Sequence, residues 1–158
     1  MWAPIGQQAR VPITGEHDRR ILTGVMNIRT GDYLDFASAK FHQEHFQKIL
    51  REIRRHWRGW HIVLFIDRNT AHKAGASRRL ARKLNIQLRW LPKACSELNV
   101  MDHLWRHVKD LISANEPTPN VHATVERARR EIRQMSPKER LQKAGVRSKD
   151  FWLADVLT

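Results

Sequence analysis

The chain has a single cysteine, Cys95, among its 158 residues. No intrachain disulfide can form, and no cysteine-based zinc site can be assembled. Long apolar runs are missing as well. The longest, Ile62–Ile66, falls far short of the roughly 20 residues needed to cross a bilayer. The opening residues Met1-Trp2-Ala3-Pro4-Ile5-Gly6-Gln7-Gln8 show no charged start followed by an apolar core, so they do not read as a signal peptide. A soluble protein of the cytosol or nucleoid is the expectation. Negative charge is scarce: 16 Asp and Glu face 29 Lys and Arg, for a formal charge of +13 and a pI near 11.0. So basic a chain is expected to bind polyanions, because each phosphate it neutralises releases condensed counterions. A ribosomal or membrane-surface protein would share this balance, and charge alone leaves those classes open. With 41% apolar and 28% charged residues, the composition is globular and the length suits one domain with a real core.

No repeat, low-complexity tract or long linker interrupts the chain. Residues 1–18 read as irregular, broken by Pro4, Gly6, Pro12 and Gly15. Arg20–Asn27 predicts a strand, Arg29–Asp32 a turn, and Tyr33–Phe36 a second strand, as in a hairpin. Phe41–Trp57 has helical period, with Phe46, Ile49, Leu50, Ile53 and Trp57 on one face and arginines off it; Gly59 stops it. His61–Asp67 is a continuous apolar run ending in an acid, the pattern of a central strand buried on both faces. Lys73–Lys83 predicts a basic helix and Ile86–Leu91 a strand closed by Pro92. Ser96 is the expected cap of a helix to about Ser113, its apolar face being Met101, Leu104, Trp105, Val108 and Leu111. After Pro117 and Pro119, Asn120 caps a further helix, Ser136-Pro137 opens a short one, and the tail ends in Phe151-Trp152-Leu153. A hairpin followed by alternating helices and strands implies a mixed α/β sheet with flanking helices.

Two acids carry the chemistry. Asp67 closes the apolar strand, and ligand sites in open α/β sheets gather at the carboxyl ends of strands. It can equally cap the turn Arg68-Asn69-Thr70; position alone does not separate the two. Asp102 lies in the first turns of a helix, where the dipole favours any acid. The pair is more specific: a strand-end acid, one helix–strand unit, then an acid at the next helix start. That layout can bring together two hard oxygen ligands of the kind Mg²⁺ requires, as two-metal phosphodiester chemistry uses.

Phe65-Ile66-Asp67-Arg68-Asn69-Thr70-Ala71-His72 resembles the second-Asp motif of the mariner superfamily of DDE transposases, especially its bacterial insertion-sequence branch. Leu91-Pro92-Lys93-Ala94-Cys95-Ser96-Glu97-Leu98-Asn99-Val100-Met101-Asp102-His103-Leu104-Trp105 resembles that family's Leu-Pro-x-x-Ser-Pro-Glu-Leu-Asn-Pro-x-(Glu/Asp)-x-Leu-Trp block. Thirty-four residues separate Asp67 from Asp102, a spacing typical of the superfamily. The likeness runs from about Trp2 to Lys109. It implies a ribonuclease H-like fold over residues 1–115 with a helical extension over 116–158. It also implies Mg²⁺ (or Mn²⁺) held by Asp67 and Asp102 as second and third catalytic carboxylates, and DNA cleavage followed by strand transfer. Asn69 and His72 match companions of the second Asp, while Glu97 and His103 are the nearby alternates. Val100 stands where Pro is usual, and Cys95-Ser96 where Ser-Pro is usual.

The family places its first catalytic Asp on a strand ahead of a Trp-x-Pro-x-Gly-Gln segment, and here Trp2-Ala3-Pro4-Ile5-Gly6-Gln7 opens the chain. The first strand, its Asp and an upstream helix-turn-helix region are therefore expected to be missing. Such a chain would bind metal feebly and fail to cleave DNA. It could act instead as a DNA-binding remnant that regulates an intact transposase, or pair with itself through the open sheet edge. Asp32 and Asp35 read as solvated, and Asp18 has no motif support. His42 and His45 read as a solvated helix face, and Trp57, Trp60 and Trp105 as core. Trp90, beside Arg89, reads as core or as a stacking platform. Arg78, Arg79, Arg82 and Lys83, with Arg127, Arg129, Arg130 and Arg133, are the candidate phosphate contacts.

Overall fold

Period-two and period-3.6 apolar patterns alternate along the chain, and the computed structural model, which describes residues 19–114 and 120–157, folds accordingly. The expectations for residues 1–18, Pro117 and Pro119 lie outside the described residues. Strand β1 (Ile21–Met26) pairs antiparallel with β2 (Tyr33–Ser38), in register from Ile21↔Ser38 to Met26↔Tyr33. The connection is locally encoded: Asn27 Oδ1 accepts the amides of Arg29 (2.9 Å) and Thr30 (3.3 Å), and Gly31 takes φ +77°. Helix α1 (Gln43–His56) buries Phe46, Ile49, Leu50 and Ile53, and ends before Gly59 at φ +81°.

Strand β3 (Ile62–Ile66) runs parallel to β4 (Ile86–Trp90), in register from Ile62↔Ile86 to Ile66↔Trp90. Their crossover is two helices, α2 (Thr70–Lys73) and α3 (Gly75–Lys83), where one was expected. Ala74, with φ −52° and ψ 135°, leaves the helical region and divides them. Helix α4 (Val100–Ser113) buries Met101, Leu104, Trp105 and Val108. It approaches β1 closely because Gly24 has no side chain: a Cβ there would lie 2.5 Å from Met101 Cε and 2.8 Å from Trp105 Cζ2. Helices α5 (Val121–Gln134) and α6 (Pro137–Lys143) follow, the first capped by Asn120, the second by a Ser136–Glu139 capping box. A last turn, α7 (Ala154–Leu157), ends the described chain. Val125, Ala128, Ile132 and Leu141 join the cluster that holds Phe46, Ile66 and Trp105, so one core serves strands and helices alike.

The fold is mixed α/β with flanking helices, but the sheet differs from the expectation. Among the described residues the four strands make two separate two-stranded sheets, β1–β2 and β3–β4. β3 was expected to be central and buried on both faces; Leu64 and Ile66 are buried, whereas Val63 is 38% exposed. The face that carries Val63 is covered only in part: its neighbour on that face, Phe65, is half-buried against Trp152, with ring centroids 5.3 Å apart. Trp60 is likewise not core. It follows the Gly59 turn and stands 45% exposed, while Trp57 and Trp105 are buried as expected and Trp90 is half-buried. Among the described residues no helix is long and apolar enough to cross a membrane.

Candidate carboxylate site

Asp67 follows the fully buried Ile66 at the end of β3, which brings its carboxylate to the sheet's rim with the side chain 16% exposed. Oδ1 accepts the Asn69 amide at 2.9 Å and lies 2.8 Å from His72 Nδ1. With Nδ1 as the donor, the imidazole holds that oxygen in place. His72 is fully buried, its ring centroid 4.4 Å from Phe46 and 5.5 Å from Phe41, and its Nε2 has no hydrogen-bond partner among the described residues. A ring so packed cannot swing away, so it orients the carboxylate rigidly. Asn69 caps α2 by accepting the Ala71 amide at 2.9 Å. Asp67 thus does cap its own turn, but through Oδ1 alone; Oδ2 carries no hydrogen bond or ion pair among the described residues.

Asp102 sits in the first turn of α4, its side chain 19% exposed and its Oδ2 3.4 Å from Arg106 Nη2 one turn on. The expected cap, Ser96, does not cap this helix. Ser96–Leu98 instead form a single 3-10 turn, and buried Asn99 is the cap, its side chain accepting the Met101 amide at 3.0 Å. The extra turn supplies the bend that a helix started at Ser96 would lack. His103 Nε2 lies 2.9 Å from the Glu97 carbonyl and braces that turn, while the Glu97 side chain is exposed.

A cavity of about 290 Å³ opens at Asp67, lined by Arg68, Asn69, Lys93, Ser96 and Asn99 among others. The structure therefore brings the two sequence motifs face to face: the turn after β3 meets the Leu91–Asn99 loop. Asp102, Glu97 and His103 do not line this cavity. The oxygen donors suit a hard divalent cation in kind. Their number is short: among the described residues no group of three or more His, Cys, Asp or Glu side chains is disposed to hold a metal.

The basic residues divide into two sets. Arg78, Arg79, Arg82 and Lys83 are all exposed on α3, and Arg130 is exposed on α5 with Arg127 half-buried. Arg129 and Arg133, expected to be phosphate contacts, are instead committed to Asp35. Arg129 Nε lies 2.7 Å and Arg133 Nη2 2.6 Å from Asp35 Oδ1, with Arg133 Nε 3.2 Å from Oδ2. The Asp35 carboxylate has no exposed surface, so the solvated reading of Asp35 is overturned. Burial alone would pull the Arg129 guanidinium down, but Asp35 and Glu126 more than offset it and its pKa rises. Burial, and then Asp35, push the neighbouring Tyr33 hydroxyl well above its ordinary range. Asp32 keeps a half-exposed side chain but pairs with His56 at 2.6 Å. His45 is also less solvated than expected: His42 is exposed, whereas His45 is half-buried, and burial followed by Lys48 lowers its pKa. No local pattern announces the Asp35 cluster, since its partners lie 94 and 98 positions away; an acid at an inward strand position was the available signal.

The family described as DDE superfamily endonuclease matches residues 1–124. Among solved structures, the Mos1 transposase catalytic domain with raltegravir and Mg is 10% identical, with a TM-score of 0.69 over 89% of this chain and 75% of that one. The same domain with raltegravir and Mn is 11% identical, at a TM-score of 0.69 over 89% and 74%. The Mos1 strand transfer complex is 16% identical, at a TM-score of 0.61 over 90% of this chain and 47% of that one. At these identities the likeness is one of fold: the ribonuclease H-like arrangement of a DDE catalytic domain. No curated protein sequence matches the chain.

Proposed function

The chain belongs to the DDE superfamily endonucleases, and from that premise we propose that it is transposase catalytic-domain sequence of the bacterial insertion-sequence branch, built to cut and join DNA. One observation carries this reading. A carboxylate at the end of β3 is fixed through one oxygen by a packed imidazole, keeps the other oxygen without a partner among the described residues, and faces the loop that leads into the Asp102 helix. Asp67 and Asp102 would be the residues to hold a divalent ion of the kind that accompanies the Mos1 domain, Mg or Mn. Bound there, it would supply Lewis-acid activation of an attacking oxygen and charge stabilisation of a leaving one. His72 and Asn69 position Asp67, and His103 steadies the turn ahead of Asp102 by bonding the Glu97 carbonyl. Arg78, Arg79, Arg82 and Lys83, with Arg127 and Arg130, draw in the phosphate backbone of element-end and target DNA.

A polypeptide of these 158 residues offers two of the family's three carboxylates at matched positions. We expect it to bind Mg²⁺ or Mn²⁺ weakly, to bind duplex DNA in a salt-sensitive way, and to leave plasmid DNA uncut. Calorimetric titration with MnCl₂ and a supercoiled-plasmid nicking assay test this. Mn²⁺ binding lost in Asp67→Ala and in Asp102→Ala supports the ligand assignment, and binding indifferent to both overturns it. Nicking that vanishes in Asp67→Ala would overturn the inactivity. The exposed cationic face of α3 favours a second role: a DNA-binding regulator that competes with, or joins, an intact transposase. Its mark is duplex affinity unchanged by either Asp substitution.

A further inference from the structure

The loop between the two acids, Leu91–Asn99, is held to β3 at its start, where the Leu91 amide donates to the Ile66 carbonyl at 2.8 Å. Its far end leads straight into the Asp102 helix and is bonded mostly to itself. The Leu98 amide donates to the Cys95 carbonyl at 3.1 Å and the Asn99 amide to the Ser96 carbonyl at 3.0 Å. His103, which braces the Glu97 carbonyl, belongs to the helix that the loop feeds. Among the described residues, one hydrogen bond reaches residues 95–99 from elsewhere in the chain: the indole Nε1–H of Trp152 donates to the Leu98 carbonyl at 2.9 Å. The same indole stands edge-on to Phe65, with 5.3 Å between ring centroids and 87° between planes. Phe65 lies two residues before Asp67, and Leu98 four before Asp102. The tail that carries Trp152 is itself fastened. Phe151 packs against the core cluster, and the Arg29 guanidinium donates to the Val156 carbonyl at 2.6 Å, tying α7 to the β1–β2 turn. One side chain on an anchored tail touches both acid-bearing elements.

We propose that Trp152 is a positioning residue for the carboxylate pair: its indole locks the 3-10 turn ahead of α4 onto β3 and so sets where Asp102 stands relative to Asp67. The two contacts divide the work. The ring edge on Phe65 seats the indole on the strand, and the N–H ties the turn to the indole. A ligand pair serves a small ion only when held to within about 0.5 Å. A 3-10 turn, with its poorer hydrogen-bond geometry, is too soft to ensure that by itself. Trp152 acts through the loop and bonds neither carboxylate. Its side chain is 40% exposed, so water can replace a lost donor at Leu98 and the fold as a whole loses little. The inference rests on reading Asp67 and Asp102 as the ligand pair, whereas the strap across the loop stands on its own contacts.

Trp152→Phe keeps a ring against Phe65 and removes the N–H. Hydrogen exchange measured on the whole chain should quicken about fivefold at the amides of Leu98, Asn99 and Asp102, the worth of roughly one hydrogen bond. Amides of the β1–β2 ladder should keep their rates, and the thermal midpoint should move by less than about 2 °C. Titrated with MnCl₂, the variant should bind about fivefold more weakly, below the roughly tenfold or greater loss that follows removal of a direct partner of a ligand. Where Trp152→Phe fails to fold, replacing the indole by benzothiophene keeps its outline, exchanges the N–H for sulfur, and serves the same comparison. Unchanged exchange at the turn overturns the proposal. So does quickening spread evenly over the β1–β2 ladder, the mark of a tail that only stabilises. Unchanged Mn²⁺ affinity beside a loosened turn overturns it as well. If the parent chain binds no Mn²⁺, the ligand assignment falls, and the exchange comparison still decides whether Trp152 holds the turn to β3.

Discussion

Replacing Asp35 by Ala strips the partner from two guanidinium groups at once. The carboxylate has no exposed surface and receives three short bonds, at 2.7, 2.6 and 3.2 Å. Each hydrogen bond to a charged group is worth roughly 1.5–3 kcal/mol, but the sum must be discounted. The Arg133 side chain is 55% exposed, so it returns to water and its share is screened. Arg129, 22% exposed, keeps Glu126 at 3.0 Å, which softens its loss without replacing Asp35. The net cost is about 3 kcal/mol, at the lower end for breaking a buried pair. At about 2–4 °C per kcal/mol for a chain of this size, the midpoint should fall by roughly 6–12 °C. Thermal unfolding followed by circular dichroism measures it, in low salt and again in 1 M NaCl, where the loss should persist because the pair is shielded from ions. Adding Arg129→Met to Asp35→Leu should recover part of the loss, since an apolar pair replaces a broken ionic one. A fall below about 1 kcal/mol, or losses that simply add in the double variant, would refute the claim that this cluster clasps α5 to β2.

Arg78→Ala with Arg82→Ala should flatten the dependence of log K for duplex binding on log salt by about one to two units, near 0.9 per phosphate contact, while stability stays within about 0.5 kcal/mol; an unchanged slope removes α3 from the DNA surface. Gly24→Ala drives a methyl group into Trp105 and Met101, and urea unfolding should register a loss of about 1–3 kcal/mol; a neutral result would mean that α4 can shift off β1. For His45, burial and then Lys48 set the folded pKa below the ordinary 6.5. The unfolded chain therefore binds the proton more readily, so the group's contribution to stability is present above that value and lost as pH falls through and below it. His45→Gln should make the decline in midpoint from pH 7 to pH 5 shallower, and superimposable profiles would contradict this.

Much of the fold was legible because its causes are local. The apolar face of α1, the hairpin turn at Asn27–Asp32 and the Ser136 cap each depend on residues within a few positions of one another. Asp67 emerges at a strand end because the apolar run stops there, and the 34-residue interval to Asp102 spans one crossover, one strand and one loop. The misplaced cap shows the limit of that reading: Ser96 and Asn99 are both good caps, and only the bend of the Leu91–Asn99 loop against Asp67 selects Asn99.

Composition and period by themselves determined a basic α/β domain with two acids at chemically apt positions and a cationic face on α3. What only the tertiary structure decided is which distant groups meet. Asp35 is an inward strand residue that α5, nearly a hundred positions on, neutralises. His72 is buried on Phe41 and Phe46 and fixes one oxygen of Asp67. The run Ile62–Ile66 has the composition of a central strand, yet among the described residues it pairs on one side only and a cleft lies on the other. A strand's hydrogen bonds are made by its neighbours, so its own residues can specify that it is extended and apolar but not how many of its edges are filled.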